Sequence, residues 1–439
     1  MKTFSKLAAG LAVLMLIAVG LVWFLNTRDE PDVSTASVAA VADAAQVQRG
    51  AYLARAGNCM TCHTAVGGAR YAGGRAIDTP FGAVFTSNLT PDAQTGIGNW
   101  SPAHFWRALH NGRSKDGRLL YPAFPYTNYT QVTREDSDAL FAFLKSLPAV
   151  QQPNQANTLR FPYNTQAALA VWRAMYFSPG TFKADASRTA EWNRGAYLVG
   201  GLGHCNACHT ARNAMGANGG LDLAGGLIPV QNWYAPSLVS KSEAGMADWE
   251  LQHIVSLLKT GVAPRASVSG PMLDVVQDGT QHLSNEDLSA MAQYLKALPP
   301  GAASDSDKGD MSVMGTSPMA TTTGVGDAVA SRGAKIYEQS CAQCHGDKGQ
   351  GVPNAYPALA GNRAVLMPQT VNLVQMVLNG GFAPATTGNP RPFGMPPFVL
   401  VLDDNDVAAV LTHLRSSWGN QASAVSPLDV NRIRASSGK

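Results

Sequence analysis

The sequence predicts an all-α protein: three tandem small helical domains behind an N-terminal transmembrane helix. Three observations lead there. The first is an apolar run of 19 residues, 7–25, close to the start of the chain. The second is a five-residue string, Cys-x-x-Cys-His, that occurs at residues 59–63, 205–209 and 341–345. The third is an amphipathic helical pattern that closes the stretch behind each string. Leu140, Phe143, Leu144 and Leu147 recur at i, i+3, i+4 and i+7; Met291, Tyr294, Leu295 and Leu298 repeat the pattern, as do Val407, Val410, Leu411 and Leu414.

The N-terminal run is long enough to cross a bilayer as a helix. Lys2 and Lys6 precede it, and Arg28, Asp29, Glu30 and Asp32 follow, which orients the N-terminus inward and the bulk of the chain outward. A cleaved signal peptide would have a shorter apolar core with a small-x-small site close behind. Here Trp23-Phe24-Leu25-Asn26 closes the run and the nearest Ala-x-Ala, Ala40-Val41-Ala42, lies well downstream, so the segment reads as a retained anchor. Residues 1–45 are then anchor and tether. The 439 residues are too many for a single core, and the 43 glycines and 26 prolines suit loop-rich domains. A formal net charge of only +3 gives no reason to expect a nucleic-acid partner.

The repeated string is the attachment signal of a c-type haem. Two thiols three positions apart on a helical turn can each add to one vinyl group of the porphyrin, and the adjacent histidine then supplies the proximal imidazole. A zinc site would need a fourth ligand from a matching cluster, and none stands near any copy. A thioredoxin-type pair would not require the histidine. All six cysteines of the chain (Cys59, Cys62, Cys205, Cys208, Cys341 and Cys344) fall in the strings, which leaves none for a disulfide. Three covalently bound haem c groups are expected, with iron bound by His63, His209 and His345.

An internal repeat surrounds the strings. Arg49-Gly50-Ala51, Arg194-Gly195-Ala196 and Arg332-Gly333-Ala334 each open a helix running into a string, and the glycine would let another helix approach closely. The closing helices carry start signals at Thr133 with Asp136, Ser284 with Asp287, and Asp403. Leu147-Pro148 and Leu298-Pro299 stop the first two. Opening helix, haem string, loops and closing helix make a cytochrome c domain. The predicted domains are 46–150, 191–300 and 329–420. Residues 151–190, rich in aromatics, form an interdomain connection expected to pack between the first two. Residues 301–328 are a flexible linker whose Met311, Met314 and Met319 are not ligands, and 421–439 form a C-terminal tail.

A haem that only transfers electrons has both axial positions filled, and a thioether raises its potential. Met395, in Gly394-Met395-Pro396-Pro397, and Met272, in Gly270-Pro271-Met272, stand on proline-stiffened loops before their closing helices and are the expected sixth ligands. The first domain has Phe124 at the corresponding place, in Tyr121-Pro122-Ala123-Phe124-Pro125-Tyr126, and phenylalanine cannot bind iron. Met60 and Met175 are poorly placed, and His104 and His110 read as exposed surface histidines.

Over nearly its whole length the chain resembles the three-haem cytochrome c subunits of membrane-bound periplasmic dehydrogenases acting on alcohols, gluconate, sorbitol, fructose or aldehydes. The resemblance is carried by Arg49-Gly50-Ala51-Tyr52-Leu53, Ser87-Asn88-Leu89-Thr90-Pro91-Asp92, Lys115-Asp116-Gly117, Arg194-Gly195-Ala196-Tyr197-Leu198-Val199, Ala235-Pro236-Ser237-Leu238 and Ser417-Trp418-Gly419-Asn420. It implies an electron-transfer subunit without catalytic residues of its own, sited in the bacterial inner membrane with its haem domains facing the periplasm. The partners it implies are a catalytic subunit carrying molybdopterin, flavin or pyrroloquinoline quinone, and ubiquinone or a downstream oxidase of the respiratory chain. It also places ligands at His63, His209, His345, Met272 and Met395. The alcohol dehydrogenase relatives have Pro-Ala-Met-Pro-Tyr where this chain has Pro-Ala-Phe-Pro-Tyr. The phenylalanine form is more similar to cytochromes that accompany molybdopterin-dependent aldehyde dehydrogenases and hydroxylases. Two rival readings remain: a haem enzyme or ligand-binding cytochrome using an open first haem, which Phe124 favours, and a free electron shuttle, which the anchor disfavours.

Overall fold

The computed structural model describes residues 2–28, 30, 33, 43–301, 325–353 and 355–437. Most of the tether and of the linker, with Met311, Met314 and Met319, lies outside these. The chain divides into two compact units, Met1–Ala184 and Asp185–Lys439.

The first unit begins with α1 (Lys2–Thr27), the one helix among the described residues that is long and apolar enough to cross a membrane. α2 (Ala44–Ala56) runs into the first string, a single helical turn. A two-stranded antiparallel ribbon follows, β1 (Ala76–Thr79) with β2 (Gly82–Phe85), then α3 (Pro102–Asn111) and α4 (Arg134–Ser146). α2 packs on α4, and Gly50 is the reason they come so close: a methyl group there would overlap the Ala139 carbonyl. Arg49 pairs with Asp136 across the crossing, Nη2 to Oδ1 2.6 Å. The Thr133 side chain caps α4 by accepting from Asp136 N.

Of residues 151–190, read from sequence as a connection between domains, 151–184 belong to the first unit and wrap its helix pair. Thr158 N and Arg160 N donate to the carbonyls of Ala83 and Phe81, and Phe182 N to that of Gln131. The segment also forms α5 (Gln166–Tyr176), which packs against α1.

The second unit repeats the crossing twice. α6 (Ala190–Tyr197) packs on α8 (Asn285–Lys296), with α7 (Leu251–Thr260) beside α8. α9 (Val325–Ser340) packs on α11 (Asp404–Ser416), with α10 (Val371–Asn379) between loops. Gly195 and Gly333 lie against the carbonyls of Ala290 and Ala409, and Arg194–Asp287 and Arg332–Asp406 pair at 2.7 Å. Ser284 and Asp403 cap their helices as the sequence predicts. Three further ribbons, β3–β4 (Gly226–Ile228, Trp233–Ala235), β5–β6 (Val262–Ala263, Ala266–Ser267) and β7–β8 (Gly381–Phe382, Gly394–Met395), make the fold mostly helical with short strands. The stretch read as a tail holds α12 (Pro427–Ser437), whose Val430 and Ile433 are buried in one core with Val374, Leu378 and Leu411.

Candidate haem-attachment sites

Each string sits between the opening and closing helices of its pair, and the same three backbone bonds set its histidine. His63, His209 and His345 donate from Nδ1 to the carbonyls of Ser87 (2.7 Å), Pro236 (2.7 Å) and Pro357 (3.0 Å). An imidazole that spends its Nδ1 proton on a carbonyl leaves Nε2 unprotonated and aimed away, the form a metal needs. Burial lowers the pKa of all three rings below the ordinary histidine value, although the carbonyl bond opposes it, so the neutral ligand form is favoured.

The histidine backbone is held as well. Gly73, Gly225 and Gly351 donate from N to the carbonyls of His63, His209 and His345, each at 2.8 Å. These glycines have φ of +75°, +89° and +65°, a region that disfavours any residue with a Cβ. Leu89, Leu238 and Leu359, two residues after each accepting carbonyl, donate from N to Tyr71, Leu223 and Gly349 and pin the carbonyl loop. In the first two strings an arginine adds a tie: Arg75 Nη1 to Thr61 O and Arg212 Nη2 to Ala207 O, both 2.6 Å.

The thiols fit attachment to a porphyrin better than a thiolate site. Burial, and then the neighbouring Cys62, push Cys59 up to about 12; Cys205 is likewise pushed to about 12 and Cys341 to about 11. Surroundings that resist a sulfur anion accept the neutral sulfur of a thioether. Cys62 and Cys208 are exposed and Cys344 is half-buried. Among the described residues no three His, Cys, Asp or Glu side chains gather as a separate metal cluster.

The two methionines are half-buried, and the segment of Met395 is held by backbone pairing. Met395 lies in β8 opposite Gly381 and packs against the core that α12 closes. Met272 opens a single helical turn, Met272–Asp274, behind Gly270, where a Cβ would strike the Trp233 ring. Phe124 faces other aromatic rings, Tyr129 at 5.3 Å and Tyr126 at 6.5 Å between centroids. Tyr129 is buried beside Cys59 and Cys62, and its hydroxyl donates to Gly57 O at 3.1 Å. Phe124 therefore belongs to the wall of the first site. Met175 is exposed on α5.

Two histidines differ from the sequence reading. His110 is buried, donates from Nδ1 to Thr130 O at 2.8 Å, and stacks on Trp106 at 4.5 Å. His104 is half-buried and completes a capping box with Ser101 at the start of α3. Their polar atoms are engaged by backbone and caps, which is why a position on an amphipathic helix did not make them surface residues. The carbonyl acceptors of Ser87, Pro236 and Pro357 were not foreseen. A leucine stands two residues after each, but the acceptors lie 24, 27 and 12 residues beyond their histidines, too uneven a spacing to mark them in the sequence.

A family model described as cytochrome c matches residues 47–148 and 330–418. The chain is 39% identical over 402 residues to the cytochrome c subunit of the quinone alcohol dehydrogenase of Gluconacetobacter polyoxogenes, covering 90% of this chain and 85% of the relative. It is 38% identical over 416 residues to the gluconate 2-dehydrogenase cytochrome c subunit of Pantoea cypripedii, covering 91% and 93%. With the fructose dehydrogenase cytochrome subunit of Gluconobacter japonicus it shares 33% over 454 residues, 99% of this chain and 90% of that one. Histidines held for metal and thiols suited to thioethers thus occur in a chain that belongs to the cytochrome c subunits of dehydrogenase complexes, electron-transfer proteins that carry covalently bound haem c.

Proposed function

We propose that the chain carries three haem c groups, on Cys59/Cys62, Cys205/Cys208 and Cys341/Cys344, with iron bound by His63, His209 and His345. It relays electrons from a dehydrogenase catalytic subunit towards ubiquinone or the respiratory chain. The observation that carries the number three is the threefold Nδ1–carbonyl bond, since the second string has the same set as the other two. Met272 and Met395 supply the sixth ligands of the second and third haems. α1 is a retained inner-membrane span that leaves the haem domains in the periplasm. The catalytic partner is of the molybdopterin-dependent aldehyde dehydrogenase or hydroxylase kind, a reading supported by Pro-Ala-Phe-Pro-Tyr in place of the methionine form.

The pyridine haemochrome of the denatured chain tests the first statement. Three haems per chain are expected, and two after Cys205→Ala with Cys208→Ala; two in the parent would overturn the reading. A second reading, an open first haem that binds small ligands, is favoured by the apolar aromatic wall around Phe124. Carbon monoxide titration of the reduced protein separates the two: one haem in three binding the gas supports an open site, and none supports a pure relay.

A further inference from the structure

We propose that α5, Gln166–Tyr176, lies in the outer headgroup layer of the bilayer beside the end of α1, so that the first unit is seated on the membrane. This rests on the reading of α1 as a retained span.

The first observation is one of level. Residues 7–25 of α1 make a helix of about 28 Å, close to the thickness of the hydrocarbon core. Asn26, the next residue, donates from Nδ2 to the Ala170 carbonyl in the middle of α5 at 2.9 Å. Arg173 of α5 donates back, Nε to Asn26 Oδ1 at 2.9 Å. α5 is thereby fixed at the height where the apolar run ends.

Secondly, the junction is a built contact. Arg107 and Arg113 pair with Glu30 at 3.4 and 3.0 Å, and Arg113 Nη2 donates to Asn26 O at 3.1 Å. Arg107 and Arg173 are only 8% and 3% exposed. Removing α1 together with Glu30 would strip Arg107 and Arg113 of their carboxylate and Arg173 of the Asn26 amide oxygen, which costs far more at buried guanidiniums than losing an exposed pair.

The third observation concerns the face that α5 turns outward. A surface helix in water directs charge outward and apolar residues inward. α5 does bury Leu169 and Trp172, but it departs from this rule on both counts at its other positions. Its one charged residue, Arg173, is turned in over the rings of Tyr126 and Phe177, at 5.1 and 4.7 Å. Ala167, Val171 and Met175, four residues apart along one stripe, are exposed, Val171 at 46% and Met175 at 55%, with Tyr176 beside them. An apolar stripe ending in an aromatic residue is what an interfacial helix presents to acyl chains and headgroups. Continuity with α1 makes the lipid surface the occupant of this face.

The test uses the full-length holoprotein in phosphatidylcholine vesicles doped with a phospholipid that carries a photoactivatable diazirine near its glycerol backbone. Adducts mapped by peptide mass spectrometry are expected on the peptide holding Val171–Tyr176 and on the end of α1. In a Val171→Asp, Met175→Asp variant the α5 adducts fall several-fold while those on α1 persist. Adducts on α1 with none on α5 in the parent chain would overturn the seating of α5 and leave the anchor standing. An absence of adducts on α1 would overturn the anchor reading itself.

Discussion

A hydrogen bond from His63 Nδ1 to the Ser87 carbonyl, repeated at His209 and His345, leaves Nε2 as the nitrogen available to iron at each site. On the opposite side the proposed ligands differ, and the differences can be measured. A thioether favours ferrous iron, so Met272→Ala and Met395→Ala should each lower one haem's potential by at least about 59 mV, a tenfold change in the one-electron ratio. Potentiometric titration showing three unshifted waves in either variant would remove that methionine as a ligand. Phe124→Met should move the first haem the other way, because Phe124 stands among the rings of Tyr126 and Tyr129 where sulfur could approach. At this scale the sequence marks the cysteines and histidines because haem attachment demands those residue types, and the methionine loops only as proposed ligands. It was silent on Ser87, Pro236 and Pro357, because a backbone carbonyl accepts a hydrogen bond whatever side chain its residue carries.

Helix crossings were legible for a different reason. The caps at Thr133, Ser284 and Asp403 and the apolar i, i+3, i+4, i+7 stripes are local signals, and each closing helix stands where they place it. The ion pairs Arg49–Asp136, Arg194–Asp287 and Arg332–Asp406 join residues far apart in the chain, so spacing alone did not reveal them. The ribbons have two to four residues per strand, too few to show a period of two. Two predictions belong here. Gly→Ala within a helix ordinarily stabilises by about 1 kcal/mol. At Gly50, Gly195 or Gly333 the methyl would meet a carbonyl of the facing helix, and destabilisation of about 1–3 kcal/mol is expected in thermal melting of the holoprotein. A rise in melting temperature would mean that the crossing is not tight. The second concerns Asp406, whose carboxyl is held below its ordinary value chiefly by the hydrogen bond from Arg332. Its contribution is complete above the ordinary aspartate value of about 3.9 and is lost as pH falls through the lowered one. Asp406→Asn should therefore melt below the parent at neutral pH, by an amount worth roughly 0.2–1 kcal/mol since Arg332 is half exposed, and converge with it in acid.

Within the second unit the two helix pairs are joined by polar side chains that reach from one into the other. Arg363 is buried and donates to Lys241 O and Glu243 O while pairing with Asp248 at 2.9 Å. Asn372 accepts from Tyr234 N and donates to Tyr234 O, at 2.8 and 2.7 Å, and the Tyr234 ring enters the core built by α10, α11 and α12. Arg363→Met should cost on the order of 2–3 kcal/mol through the charged hydrogen bonds it removes. Calorimetry of the full chain should then separate one transition of residues 185–439 into two. A single, merely shifted transition would show that the apolar contact at Tyr234 suffices to couple them. This joint was hidden from the sequence because Arg363 and Asn372 look like ordinary solvated positions until a partner surface is present.

The tightness of the helix crossings has a consequence for the order of assembly. At each crossing the opening and closing helices meet at a glycine, with almost nothing between the two backbones, while the chain joining them is mostly loop. Loops of that length order late and at high entropic cost unless something gathers them. The string lies immediately behind the opening helix, so it emerges in synthesis while the closing helix is still to come. On the proposed attachment, thioether formation would precede closure and the porphyrin would be the nucleus on which the loops condense. A polypeptide that misses one attachment carries an unfinished knot of loop between two helices, and in the second unit the Arg363 and Asn372 joint passes that failure to its neighbour.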